Sequence, residues 1–210
     1  MTILVVATGN LGKLAEIQSY LSHFPLELAL KPMNLEIEET ESTFLGNARL
    51  KASQVAMVTH QWAIADDSGL AVDALDGSPG VFSARYGTTD AERIDRLLKA
   101  LANNPNRGAQ FVCAIAIANP TGELVLEAEG ICRGEILAEP RGVNGFGYDP
   151  IFWVAEYGLS FAEMEPQLKA KTSHRGQAFA SLLPQLEQKM LNLDIPRSEE
   201  TGILRNIKLS

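Results

Sequence analysis

Asp66 and Asp67 stand side by side in AIADDSGLAV (63–72), between two apolar runs. A buried carboxylate costs several kcal/mol unless it is paired or holds a metal. Three roles suit such a pair. The acids can cap a turn, since Asp-Ser-Gly is good turn chemistry. They can ligate Mg2+, which takes few carboxylates and keeps waters and substrate phosphates. One can act as a general base toward water. Neighbours in an extended strand face opposite sides. The two acids therefore divide their duties, one facing a ligand and one anchoring the turn.

Cations gather where an anion would meet them. Thr8-Gly9-Asn10-Leu11-Gly12-Lys13 follows an apolar run and opens a helix. Backbone N–H groups and the helix dipole favour an anion there, and Lys13 in the first turn opposes that dipole. The glycine spacing matches neither a P-loop nor G-x-G-x-x-G, so the glycines alone read as a tight turn. Ser173-His174-Arg175-Gly176 repeats the placement. Ser173 suits an N-cap, while His174 and Arg175 sit at the wrong end of a helix for cations. Lys169 and Lys171 lie just upstream. Asn144-Gly145-Phe146-Gly147-Tyr148-Asp149 reads either as an Asn-Gly hairpin turn or as a ligand loop. In the second reading glycines admit close approach, Phe146 offers a stacking face and Asp149 accepts a hydrogen bond.

The elements that must position these residues follow from periodicity. Ile3–Ala7 is an apolar run, as a buried strand requires. A helix from near Lys13 carries Leu14, Ile17 and Leu21 at helical spacing. Leu26–Leu30 suits a second strand. An acidic segment then leads to a helix with Phe44, Ala48, Ala52 and Val55 on its inner face. Trp62–Ala65 reads as a strand ending at the two aspartates, followed by a long Gly/Pro loop. Thr89–Glu92 is a capping box for a helix striped with Ile94, Leu97, Leu98 and Leu101. Two β-rich runs flank Asn-Pro-Thr-Gly as an antiparallel hairpin, and another strand is expected near Glu135–Ala138. The last long helix starts near Ser173, with Phe179, Leu182, Leu183, Leu186 and Met190 facing the core. Crossovers plus a hairpin point to one mixed sheet with helices packed on it.

Composition narrows the function. The chain has 210 residues and a net charge of −8, which disfavours a protein that coats nucleic acid or an anionic membrane. A polyanion would need a local basic cluster or a metal. Cys113 and Cys132 form no metal or disulfide framework. The N-terminus lacks a signal-peptide pattern, and no apolar run reaches spanning length. A cytoplasmic protein is the expectation. Asp-x-Asp, G-x-S-x-G and H-E-x-x-H sites are missing.

TGNLGK, FLGNARLKA, ADDSGL, PGVFSARY, GFGYDPIF and SHRGQA occur in that order. Together, from Thr2 to Met190, they resemble the inosine triphosphate pyrophosphatase family. The resemblance implies an α/β protein with an elongated mixed β-sheet flanked by helices and two lobes around a central cleft. A single two-lobed domain over 1–193 is expected, with a C-terminal extension over 194–210. It further implies a homodimer and Mg2+-dependent hydrolysis of dITP, ITP and XTP to monophosphate and pyrophosphate. By motif position, Asp67 is the family's catalytic acid and Glu39 its metal-binding glutamate. Asp66 is assigned a supporting or second metal role. Thr8, Gly9, Asn10, Leu11, Gly12 and Lys13 match the triphosphate loop, Lys51 a phosphate-binding lysine, and Ser68 lies against substrate. Phe146, Gly147, Tyr148, Asp149, Lys169, His174 and Arg175 match base-binding residues. Gly46 departs from the family, which often carries an acid there. Two other classes stay open: a phosphohydrolase releasing orthophosphate, and a nucleotide-binding module without turnover.

Overall fold

A computed structural model describes residues 2–192. The chain runs β1 (Thr2–Val6), α1 (Leu11–Leu21), β2 (Leu26–Leu30), α2 (Phe44–Thr59) and β3 (Trp62–Val72). Two 3-10 turns, Asp73–Leu75 and Gly80–Arg85, precede α3 (Asp90–Leu101). Then come β4 (Gly108–Ala118), β5 (Leu124–Ile136), the 3-10 turn Asp149–Ile151, β6 (Phe152–Val154), β7 (Leu159–Ser160), α4 (Pro166–Thr172) and α5 (His174–Asn192). The expected extension over 194–210 lies outside the described residues.

One seven-stranded sheet has the order β2-β1-β3-β4-β5-β6-β7. β1 pairs in parallel with β2 and β3, and every pair from β3 onward is antiparallel. This is the expected mixed sheet. The long strands β3, β4 and β5 run through both lobes. One half of the sheet is covered by α1 and α5 on one face and by α2 on the other. The second half packs Leu70, Val72, Phe111, Phe152 and Phe161 against Leu97 and Leu101 of α3.

The two faces of β3 differ in size. Ala63, Ala65, Gly69 and Ala71 share one face with Asp67, and Ile64, Leu70 and Val72 share the other with Asp66 and Ser68. The small face meets Ala48, Ala52, Val55 and Ala56 of α2, so helix and sheet approach closely. Gly69 has no room for a side chain: a Cβ would lie 2.5 Å from both the Gly80 carbonyl and Ser83 Oγ. The loop after β3 thereby folds back onto the strand beside the two acids.

Several expectations need correction. The strand does not end at the aspartates. It continues seven residues past Ala65, because β4 pairs with it from Ala63 to Val72 and the following loop accepts from Leu70 N and Val72 N on its other edge. Glu135–Ala138 is not a separate strand; β5 simply runs on to Ile136. Asn144-Gly145 closes no tight hairpin, since it lies within the long connection between β5 and β6. Thr89 caps α3 by accepting from Glu92 N, but the Glu92 carboxylate reaches back to Thr88 N and Oγ1, one residue further than a capping box places it. α4 was not foreseen, because seven residues show too little periodicity to read.

α5 crosses β5 where Gly130 clears the way, since a Cβ there would run into the His174 carbonyl and Ala178 N. His174, the first residue of α5, stacks on Phe111 at 4.6 Å and 9°. Burial, then the charges of Arg175 and Lys169, hold its pKa well below the ordinary 6.5.

Two outcomes follow from this packing. Gly130→Ala should destabilise the protein by about 1–3 kcal/mol through overpacking, read as a lower urea midpoint at unchanged slope. His174 is buried neutral, so the unfolded chain binds its proton first on acidification. Its stability contribution is full above 6.5 and is lost as pH falls below that value toward the folded-state pKa. Thermal unfolding between about pH 7.5 and about pH 5 should show that loss, and His174→Gln should flatten it by up to about 1.4 kcal/mol per pH unit. An unchanged slope in the variant would assign the acid sensitivity elsewhere.

Candidate active site

The alternation on β3 sends Asp67 toward α2 and Asp66 toward α1 and α5. On the α2 side, Thr43 caps the helix by accepting from Gly46 N at 3.0 Å. Asn47 and Lys51, one turn apart, then share the face that meets the sheet. Lys51 Nζ lies 3.2 Å from Asp67 Oδ1 and 2.7 Å from Glu39 Oε1. Glu39 comes from the irregular acidic segment, anchored where Leu35 and Ile37 pack against α2. The fully buried Asn47 accepts from Glu41 N (3.0 Å), donates to Glu41 O (3.3 Å) and donates to Asp67 Oδ2 (3.2 Å). One amide thus fastens the acidic segment to the central strand. Gly46 is explained here: a Cβ would sit 2.8 Å from Glu41 Cβ. The glycine admits the acidic segment against the start of α2. Arg85 lies 3.3 Å from the other Glu39 oxygen.

On the opposite face Asp66 Oδ2 accepts from Arg175 Nη2 at 2.8 Å and Ser68 Oγ at 3.2 Å, and forms an ion pair with Lys13 Nζ at 3.2 Å. Glu16 of α1 bridges Arg175 Nη1 (2.5 Å) and Lys169 Nζ (2.9 Å). Lys169 also holds Asp149 at 2.6 Å. Phe146 lies over Gly12, with Lys169 Nζ 4.9 Å from its ring centre. The 144–149 loop is fixed by Asp149 accepting from Phe146 N (2.9 Å), Asp90 accepting from Gly147 N (2.7 Å) and Tyr148 donating to the Ser83 carbonyl (3.0 Å).

Burial sets the electrostatics. It pushes the Asp67 carboxyl above the usual carboxylate range, against the pull of Lys51 and Lys13. It raises Asp149 likewise, with Lys169 opposing. Burial would raise Asp66 too, but the Lys13 and Arg175 charges win and hold it far below that range. Burial works to deprotonate Lys51, and Asp67, Asp66 and Glu39 together outweigh it, so the ammonium is kept. Lys169 is kept charged in the same way by Asp149 and Glu16.

A cleft of about 980 Å3, including its open mouth, runs between these groups. Asn10, Lys13, Glu39, Asp67 and Ser68 line one end, and Phe146 to Asp149, Lys169, His174 and Arg175 the other. These expected site residues do come together. Lys51 stands directly behind Glu39 and Asp67. Thr8, Gly9, Leu11 and Gly12 do not line the cleft, and Leu11 is exposed. The 8–13 loop, expected to bind triphosphate, is also less open than its sequence implies: Asn10 Oδ1 already accepts from Gly12 N (2.8 Å) and Lys13 N (3.1 Å).

Glu39 and Asp67 could hold a hard divalent cation. They converge on one positive charge, the Lys51 ammonium, and a pair of carboxylates completed by water and phosphate suits Mg2+. Among the described residues no three His, Cys, Asp or Glu side chains gather into a metal group. Asp66 does not join the pair as the sequence reading assigned it. It projects from the other face of the sheet, and its Oδ2 is already crowded with donors. Three contributors escaped the sequence reading: Asn47, Glu16 and Asp90. Asn47 carried a signal, a poor helix former one turn before a lysine. Glu16, three residues after Lys13, carried another, a carboxylate on the same helix face.

The sequence profile of the Ham1 family matches residues 4–185. The dITP/XTP pyrophosphatase of Nostoc sp. is 65% identical over 184 residues, 88% of this chain and 94% of the relative. That of Synechocystis sp. is 60% identical over 185 residues, 88% of this chain and 95% of the relative. Among solved structures, a HAM1 protein from Coxiella burnetii shares 45% identity at a TM-score of 0.82, covering 90% of this chain and 100% of its own. With the family profile matched over most of its length, relatives 60–65% identical and the same fold, this chain belongs to the Ham1 family.

Proposed function

We propose that this protein hydrolyses the non-canonical purine nucleotides dITP, ITP and XTP to the monophosphate and pyrophosphate, with Mg2+ as cofactor. The observation that carries the reading is the cleft itself. It joins the Glu39–Lys51–Asp67 cluster at one end to Phe146, Asp149, Lys169, His174 and Arg175 at the other. The names of the relatives, dITP/XTP pyrophosphatases, support the substrate class. The reading includes a cytoplasmic homodimer of one domain over 1–193. The family resemblance and a substrate drawn from the nucleotide pool support it.

Phosphoryl transfer depends mostly on positioning and on neutralising charge. Lys13 and Lys51 offer ammonium groups to the phosphate oxygens. Mg2+ at Glu39 and Asp67 supplies, when bound, further charge neutralisation on the phosphates. Asp67, held by Asn47 and Lys51, orients a water toward the α-phosphorus and takes its proton; its raised pKa suits a base. Pyrophosphate then leaves with its charge spread over the lysines. At the far end, donors of His174 and Arg175 match the six-oxo group of hypoxanthine or xanthine. The amino group of adenine would leave them unpaired, a mismatch that discriminates strongly. Phe146 offers its ring to the base.

A nucleotide panel with Mg2+, reading pyrophosphate and orthophosphate separately, tests this. dITP, ITP and XTP should run well ahead of ATP and GTP and release pyrophosphate. Comparable ATP turnover, or orthophosphate as product, would sink the reading. Asp67→Asn should lower kcat by about 10²–10⁴-fold while circular dichroism and the melting transition persist. The wild-type kcat/KM should fall on acidification, with its inflection above the ordinary carboxylate value of 3.8.

A further inference from the structure

Asp66 is the carboxylate that joins the two ends of the cleft. Its Oδ2 holds Lys13, the cation at the phosphate end, and Arg175, the cation at the base end. The two cations are held differently. Arg175 is almost wholly buried; its fork is fixed by Glu16 on Nη1 and by Asp66 and Ser68 on Nη2. Lys13 keeps 16% of its side chain exposed, so its ammonium reaches the cleft while bound to Asp66. Asp66 itself is sealed, with 1% of its side chain exposed. Asp66 thus meets substrate only through its partners. A metal at its partnerless Oδ1 would stand beside two cations already held by Oδ2, and they would repel it. It would also stand across the sheet from Glu39 and Asp67.

We propose that Asp66 is a positioning residue: it ties Lys13 to Arg175, restraining the phosphate-side cation and orienting the base-side one, and it holds no metal. The inference rests on the pyrophosphatase reading above. Neutral Asn at 66 would free Lys13 and remove a negative charge, so an anion should bind more tightly. The same change leaves Arg175 with Glu16 as its sole carboxylate partner and loosens its orientation, so base discrimination should fall. The two effects have opposite signs. General damage to the site would weaken both.

The test compares wild type with Asp66→Asn. Metal-free calorimetry with inorganic tripolyphosphate should show binding about three- to tenfold tighter in the variant. The dITP-to-dATP ratio of kcat/KM should drop about tenfold, with the Mg2+ half-saturation of dITP turnover within about twofold of wild type. Weaker tripolyphosphate binding, or a large shift in Mg2+ half-saturation at an unchanged base ratio, would overturn the proposal. Should Asp66→Asn fail to fold, the pair Lys13→Gln and Lys13→Gln/Asp66→Asn decides. Both lack Lys13, so a lower base ratio in the double variant alone supports the proposal, and equal ratios refute it. Wild-type protein that leaves dITP intact would refute the pyrophosphatase reading and this inference with it. Wild-type turnover with an unchanged ratio refutes the inference alone.

Discussion

Two adjacent carboxylates in the middle of a central strand force the rest of the site into being. Asp66 and Asp67 are both nearly buried, and strand geometry sends them to opposite faces. No single cation contacts both. Each face must bring its own cations: Lys51 on a helix packed close enough to reach Asp67, and Lys13 with Arg175 from two helix starts on the other side. That requirement explains the small residues on one face of β3 and the alanines of α2. It also explains why α1 and α5 begin with cations that would otherwise oppose their dipoles.

The same constraint explains how remote segments are fixed. The acidic segment has no regular structure, yet Asn47 bonds it at two backbone atoms and Asp67 at a third point. The 144–149 loop is likewise irregular, yet Asp149, Asp90 and Ser83 hold its backbone and Tyr148. Buried polar groups that bond rigid elements specify one geometry where loops alone would not. The Glu39–Lys51–Asp67 end of the cleft is therefore built on a strand and a helix, and the other end on a loop pinned by Asp90 and Ser83.

The division of labour between the acids was legible in the sequence, because it follows from a period of two and nothing else. β1, α1, β2, α2 and the β4–β5 hairpin were legible for the same kind of reason: local periodicity and turn residues. The passage of β3 through the acids was not. Local pattern says that charge ends a strand, whereas a ten-residue ladder with β4 and cations on both faces keep it going. Glu16 and Asn47 were hidden for a related reason. Their partners lie far off in sequence, 159 residues for Glu16–Arg175 and 20 for Asn47–Asp67. Spacing along a helix could nominate them, but only the fold identifies what they touch. The 8–13 loop misled in the opposite direction, since its amides read as open while Asn10 occupies two of them.

The site is poor in free charge although it is rich in charged groups. Lys13, Lys51, Lys169 and Arg175 each rest on at least one of Glu16, Glu39, Asp66, Asp67 and Asp149. The acids outnumber these cations, in a protein that is itself acidic. A bare polyanion gains little from such a site, because each cation must first give up a carboxylate. In the proposed reading, a substrate arriving with divalent metal would change the balance: Glu39 and Asp67 would gain a new counter-charge and Lys51 would be freed toward phosphate. In the proposed reading, this pairing would make ion-free triphosphate a weak ligand. It would also keep four buried charges compensated between turnovers, when an uncompensated one would cost several kcal/mol.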